Sequence, residues 1–213
     1  MYIKWIVCKV NRYKKLNFSE AQEKWVSISD SDGFIAQTGG WDLNDNYHAC
    51  IISFWETKEN MEAFMKYKHD EILKDSEQSN TYNEIFAEYF IRVFNMDGKA
   101  GNLREAVRNG NLLRIADCIV RPGRTEHFEK MQYEVWIPGM QESKGMLGGI
   151  FSKNENNNLR YLVSTFWDNI QKHSDYSENK LRVLREHADT ANDIKEITGR
   201  KISIVNEWKI IKS

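Results

Sequence analysis

The sequence predicts an α+β fold of two tandem β-α-β-β-α-β modules whose sheets close on one another inside a single chain. Three observations predict it. The chain repeats itself at a shift of 110 and then 112 residues; strand-like and helix-like periodicities recur in the same order in both copies; and each copy has a strand ending in Phe-Trp that runs straight into an amphipathic helix.

At the first shift Ile3 to Val26 falls on Leu113 to Trp136, with Cys8 on Cys118, Val10 on Val120, Phe18 on Phe128, Gln22 on Gln132 and Lys4 on Arg114. At the second, Ser53-Phe54-Trp55-Glu56 falls on Thr165-Phe166-Trp167-Asp168. After a longer insertion Glu88-Tyr89-Phe90-Ile91 falls on Glu207-Trp208-Lys209-Ile210. Matches in one order, with gaps confined to loops, argue for duplication.

Ile3 to Val10 is β-branched and aromatic, as a strand should be, and Phe18, Ala21, Gln22 and Trp25 then recur on one helix face. Phe34 to Trp41 and Tyr47 to Trp55 are extended runs joined by the Asn/Asp-rich turn 42–46. Behind Trp55, Met61, Phe64, Met65 and Ile72 share a helix face with Thr57 available as its N-cap. A last strand, 85–94, completes the module. The second copy reads as strand 113–120, helix 126–137, hairpin 146–152 and 159–167, helix 169–188 and strand 202–211. The expected organisation is a module over 1–95, a linker over 96–111 with room for one short helical turn, and a module over 112–213.

Such a unit is the ferredoxin-like arrangement, with both helices on one face of an antiparallel sheet and the other face bare. Trp5-Ile-Val-Cys8 and Cys50-Ile-Ile-Ser-Phe-Trp55 are apolar at successive positions, which marks strands covered on both sides. The second copy is the expected cover, and no further partner is needed, although a homodimer of the whole chain is left open.

Composition narrows the function. Thirty Lys and Arg stand against 31 Asp and Glu in 213 residues, so the basic footprint of a nucleic-acid binder is missing. No apolar run approaches the roughly 20 residues needed to span a bilayer. The N-terminus lacks a signal-peptide apolar region, and Cys8, Cys50 and Cys118 are odd in number and widely spaced, so a reducing cytoplasm is the expected compartment. His48, His69, His127, His173 and His187 follow no metal-ligand spacing and read as surface residues; no Walker loop, Cys-x-x-Cys or dinucleotide fingerprint occurs. Neither a metal nor a cofactor is implied. Cys8 and Cys118 read as buried small residues, and Trp55 and Trp167 as packing their helices onto the sheet.

The strand end Phe54-Trp55 with Glu56-Thr57-Lys58 and its helix, repeated by Phe166-Trp167-Asp168, resembles the dimeric α/β-barrel proteins of the antibiotic-biosynthesis-monooxygenase superfamily. Lys4-Trp5-Ile-Val-Cys8 and Ala21-Gln22-Glu-Lys-Trp25 also resemble a YdbC-like family of Bacillus-type bacteria. The superfamily resemblance implies an intramolecular barrel and a small-molecule ligand, and its members include cofactor-free quinol-forming monooxygenases. Its haem-degrading branch uses an Asn on the first strand and a Trp and a His on the second helix. Here the strands offer Ile6-Val7-Cys8 and Ala116-Asp117-Cys118, the Trp positions fall near Phe64 and Tyr176, and only His187 stands beside a His position. Haem degradation is the lesser expectation.

Asp117 stands where the first copy has Val7, and a carboxylate in a doubly covered strand is costly unless paired or used. It is a candidate base, with pairing to Arg114 or Arg160 as the alternative; His187 is the second candidate base. Tyr176 and Gln132 are candidate ligand contacts. Glu88 and Glu207, matched across the repeat, are a candidate acid–base pair or partners of nearby cations. The expected function is small-molecule binding, as a cofactor-independent monooxygenase-like enzyme for an aromatic or hydrophobic substrate; the alternative is a non-catalytic structural or ligand-sensing protein.

Overall fold

The computed structural model describes residues 1–212. Contacts divide the chain into two compact units. The first takes Met1–Tyr89 and the segment from Ile202 onward; the second is Phe90–Lys201.

The chain runs through β1 (Tyr2–Val10), α1 (Lys15–Glu23), a 3-10 segment (Lys24–Asp30), β2 (Phe34–Asp42), β3 (His48–Trp55), α2 (Lys58–Tyr67), α3 (His69–Ser76) and β4 (Tyr82–Asp97). In the first unit the strand order is β4-β1-β3-β2, and β1 pairs antiparallel to β3 from Tyr2↔Trp55 to Lys9↔His48. Thr57 caps α2 as its sequence suggested, its Oγ1 accepting from the Asn60 backbone N–H at 3.2 Å. The Trp55 indole N–H donates to Ser53 Oγ at 3.2 Å, and its ring lies 5.1 Å from that of Phe64, so this tryptophan does pin α2 to the sheet.

The second unit repeats the plan with α4 (Leu103–Asn109), β5 (Leu112–Val120), α5 (Thr125–Met131), a π-helical turn (Gln132–Trp136), α6 (Ile137–Gln141), β6 (Met146–Asn154), β7 (Arg160–Trp167), α7 (Ile170–Asn179), α8 (Leu181–His187), α9 (Thr190–Asp193) and β8 (Ile194–Ile204). Its strand order is β4-β6-β7-β5-β8. Trp167 reproduces the geometry of Trp55: its N–H donates to Thr165 Oγ1 at 3.0 Å and its ring sits 5.1 Å from Tyr176. Both copies are therefore built on one local design, with Phe64 and Tyr176 in equivalent places.

Four expectations change. The last strand of the second copy is β8, not 202–211; its first residues, Ile194-Lys-Glu-Ile-Thr-Gly, are largely exposed, so they carry little apolar alternation to read. Glu207 consequently lies on the 3-10 turn Asn206–Trp208 while Glu88 lies in β4, and the two are not equivalent. The C-terminal strand segments belong with the first unit: Ile202–Ile204 and β9 (Ile210–Ile211) pair with β2. Gly40 permits this pairing, since a Cβ there would overlap the Ser203 carbonyl. Residues 96–111 hold the end of β4 and all of α4, whose Ala106 and Val107 are fully buried, and so are packed structure.

Among the described residues no helix is long and apolar enough to cross a membrane.

Candidate ligand site

In β5, alternation sends Arg114, Ala116 and Cys118 to one face and Ile115 and Asp117 to the other. The neighbouring strand β7 supplies Val163, Thr165 and Trp167 to the first face, in register with β5 through Arg114↔Thr165 and Ala116↔Val163. Across from them stand Phe128, Gln132, Trp136 and Met140 from α5, the π turn and α6, and His173 and Tyr176 from α7. Between this sheet face and these helices lies a cavity of about 280 Å³. Cavities of about 150 Å³ accept one benzene ring, so this one suits a body of one or two rings.

The groups facing the cavity are tuned by burial. It holds the Tyr176 hydroxyl protonated by raising its pKa, pushes the Cys118 thiol up to about 12, and lowers Arg114. Burial, with Arg114 and Lys201 adding repulsion, lowers His173 to about 4. At neutral pH the cavity thus presents a neutral imidazole, an un-ionised phenol and thiol, and a guanidinium.

The candidate residues separate into two groups. Tyr176 and Gln132 line the cavity and are buried. Asp117 lies on the opposite face of β5, where Arg160 grips it with Nε–Oδ1 at 2.9 Å and Nη2–Oδ2 at 2.7 Å. This is the pairing alternative that its sequence left open. His187 is exposed at the end of α8 and does not line the cavity. Glu88 and Glu207 fall in the first unit, the former half-buried and the latter exposed. Asp117→Asn is expected to lower stability by about 1–2 kcal/mol in urea unfolding, because the bidentate pair is only partly exposed, and to leave ligand affinity unchanged.

Arg114 and His173 were missed as site residues. The alignment of Lys4 with Arg114 was the one available signal, since it places a cation in the first strand of both copies. His173 carried none: a buried histidine on a helix whose neighbours are mostly polar reads as solvated. No group of three or more His, Cys, Asp or Glu among the described residues is placed to hold a metal.

The first unit has the same site in miniature. Lys4, Cys8, Phe18, Gln22 and Phe64 enclose about 80 Å³. Gln22 Oε1 accepts from Gln78 Nε2 at 2.9 Å, Gln78 Oε1 accepts from the Trp25 indole at 2.8 Å, and Lys4 Nζ rests 3.1 Å from Met65 Sδ. Its own polar groups satisfy one another there. A 3-10 segment follows the first helix in this unit, where the second has the wider π turn carrying Gln132 and Trp136.

The model of a domain of unknown function, DUF4937, matches residues 2–90. The uncharacterized protein YdbC of Bacillus subtilis (strain 168) is 38% identical over 80 residues, 37% of this chain and 67% of that protein. The chain belongs to the YdbC-like family. This YdbC-like chain is also similar in structure, over its whole length, to the "putative monooxygenase" of Lactobacillus acidophilus NCFM, with a TM-score of 0.76, 12% identity and 96% of that chain covered. The "putative monooxygenase" FN1347 of Fusobacterium nucleatum subsp. nucleatum ATCC 25586 superposes with a TM-score of 0.79 at 11% identity, covering all of this chain and 94% of that one. An anthrone oxidase-like protein gives 0.70 at 12% identity over 96% and 91% of the two chains. At these identities the likeness shows the fold alone, an α+β arrangement of repeated units that the YdbC-like chain shares with these structures, and leaves its chemistry to its own residues.

Proposed function

We propose that the protein binds a small aromatic molecule in the cavity of its second unit and oxidises it with dioxygen, without a bound cofactor. The observation that carries this reading is the convergence of Arg114, His173 and Tyr176 on one apolar cavity of about 280 Å³. A neutral imidazole accepts the proton of a phenolic hydroxyl, and the adjacent guanidinium lowers the energy of the phenolate that results. Tyr176, kept protonated, donates a hydrogen bond to the same oxygen. The electron-rich anion then reacts with dioxygen directly: in the sum, a phenol and O₂ give a quinone and water, one oxygen atom ending in the new carbonyl and the other in the water. The neighbours' names as monooxygenases and an oxidase-like protein agree with this chemistry.

Oxygen uptake with a panel of phenols and quinols tests it. The wild-type protein is expected to consume dioxygen with at least one of them, and His173→Ala to slow the chemical step by about 10²–10⁴-fold, the usual contribution of a positioned base. Because the imidazole must be neutral, turnover falls as pH drops toward its lowered pKa of about 4. Binding of the same compounds without oxygen uptake would assign the cavity to ligand sensing instead. An unchanged rate in His173→Ala would remove it from the mechanism.

A further inference from the structure

We infer that the cavity of the second unit selects an organic anion, an aromatic carboxylate of one or two rings whose carboxylate is held by Arg114. This rests on the reading of that cavity as a ligand site and names the class of molecule it takes.

Charge balance is the first observation. Arg114, Arg185 and Lys201 all line the cavity, and no Asp or Glu does. Elsewhere in the same unit Arg124 meets Asp189 at 3.0 Å and Asp193 at 2.8 Å, Arg160 meets Asp117 at 2.7 Å, and Lys153 meets Glu129 at 3.4 Å. Arg114 differs from these three. Its Nη1 is buried and has no hydrogen-bond partner, and the charged groups that act on it include the cation Arg185 and no carboxylate. A guanidinium left this way costs more than one whose donors are satisfied.

Hydrogen-bonding capacity is the second. Thr190 Oγ1, on the same cavity, is also buried and unpartnered, and the Gln132 amide and Tyr176 hydroxyl face the same space. These hydroxyls and this amide donate or accept, whereas the three cations only donate, so donors outnumber acceptors around the cavity, the reverse of what a cationic ligand needs. The backbone of β8 makes room for the guanidinium: Gly199 lies so close to Arg114 that a Cβ would sit 2.9 Å from Nη2. The remaining walls, from Phe128, Trp136, Met140, Val163, Trp167 and Ile194, are apolar and fit a ring system.

The test uses the full chain and two probes of the same shape, 2-naphthoate and 2-naphthamide, titrated by calorimetry in the wild-type protein and in Arg114→Met and Arg114→Lys. Naphthoate is expected to bind at least about tenfold more tightly than the amide, a difference typical of a charge-assisted hydrogen bond. Arg114→Met is expected to bring the two within about threefold, and Arg114→Lys to restore part of the preference. Equal affinities in the wild type overturn the inference while the cavity reading stands. A preference for naphthoate that survives Arg114→Met in a chain with wild-type circular dichroism overturns the assignment to Arg114. Failure of the wild type to bind either probe, or any member of the phenol panel, removes the ligand site itself and the inference with it. Should the methionine variant not fold, the comparison of the two probes on wild type and Lys201→Gln still decides, with the preference reduced when the second cation is lost.

Discussion

Trp167→Ala is expected to lower the unfolding free energy by about 4 kcal/mol, within the range for truncating a large buried aromatic side chain. Trp167 is fully buried; its ring meets His173 edge-on at 5.1 Å and Tyr176 at 5.1 Å, and its N–H satisfies Thr165 Oγ1. The substitution removes the wedge between β7 and α7 and leaves the Thr165 hydroxyl short of a partner. Trp55→Ala should cost a comparable amount, because Trp55 is equally buried and makes the matching contacts to Ser53, Phe34 and Phe64. Urea unfolding followed by far-UV circular dichroism measures both, and Trp167→Phe should recover roughly half the loss. A Trp167→Ala loss below about 1 kcal/mol would mean that the helix is held by something other than this ring.

Asp193→Ala is expected to cost about 3 kcal/mol. The Asp193 side chain is 1% exposed and is shared by Arg124 Nε at 2.8 Å and His127 Nδ1 at 2.8 Å, while its backbone carbonyl accepts from the Arg121 N–H. Removing the carboxylate strands a guanidinium and an imidazole together, and deleting one partner of a buried ionic group is far costlier than the pair is stabilising. Arg124 retains Asp189 and is about one-third exposed, which keeps the loss at the lower end. Arg124→Met combined with Asp193→Leu should recover much of it, since an apolar replacement of the whole group leaves no orphaned charge. The same urea titration decides between these outcomes.

The repeated parts of the fold were legible because they are local. The β-branched and aromatic run from Ile3 to Val10, the Thr57 cap and the Phe-Trp strand end each depend on a few neighbouring residues, and the duplication presents the strand and the strand end twice. The last strand of the second copy was misplaced because β8 presents exposed Lys, Glu, Thr and Gly over Lys195–Gly199, so the buried Ile202 and Ile210 drew the boundary too far along the chain. The site was half legible. Gln132 drew notice from its place in the repeat and Tyr176 from the family resemblance, while Asp117 drew notice as a charge in a strand whose alternation in fact turns it away from the cavity. Arg114 and His173 owe their character to what surrounds them in three dimensions: an arginine without an acid and a histidine held neutral differ in no local way from paired or solvated ones.

The first unit is discontinuous, closed by residues from 202 onward, whereas the second is one uninterrupted segment. During synthesis the second unit is complete before the first has received its last strands, so the amino-terminal half must wait, with the edge of β2 unpaired, until about 110 further residues have been made. Folding order should therefore run against chain order. Truncation after Lys201 would leave Phe90–Lys201 with its sequence whole while taking strands from the first unit, which makes Ile202–Ile204 and Ile210–Ile211 a latch for the part of the chain translated first.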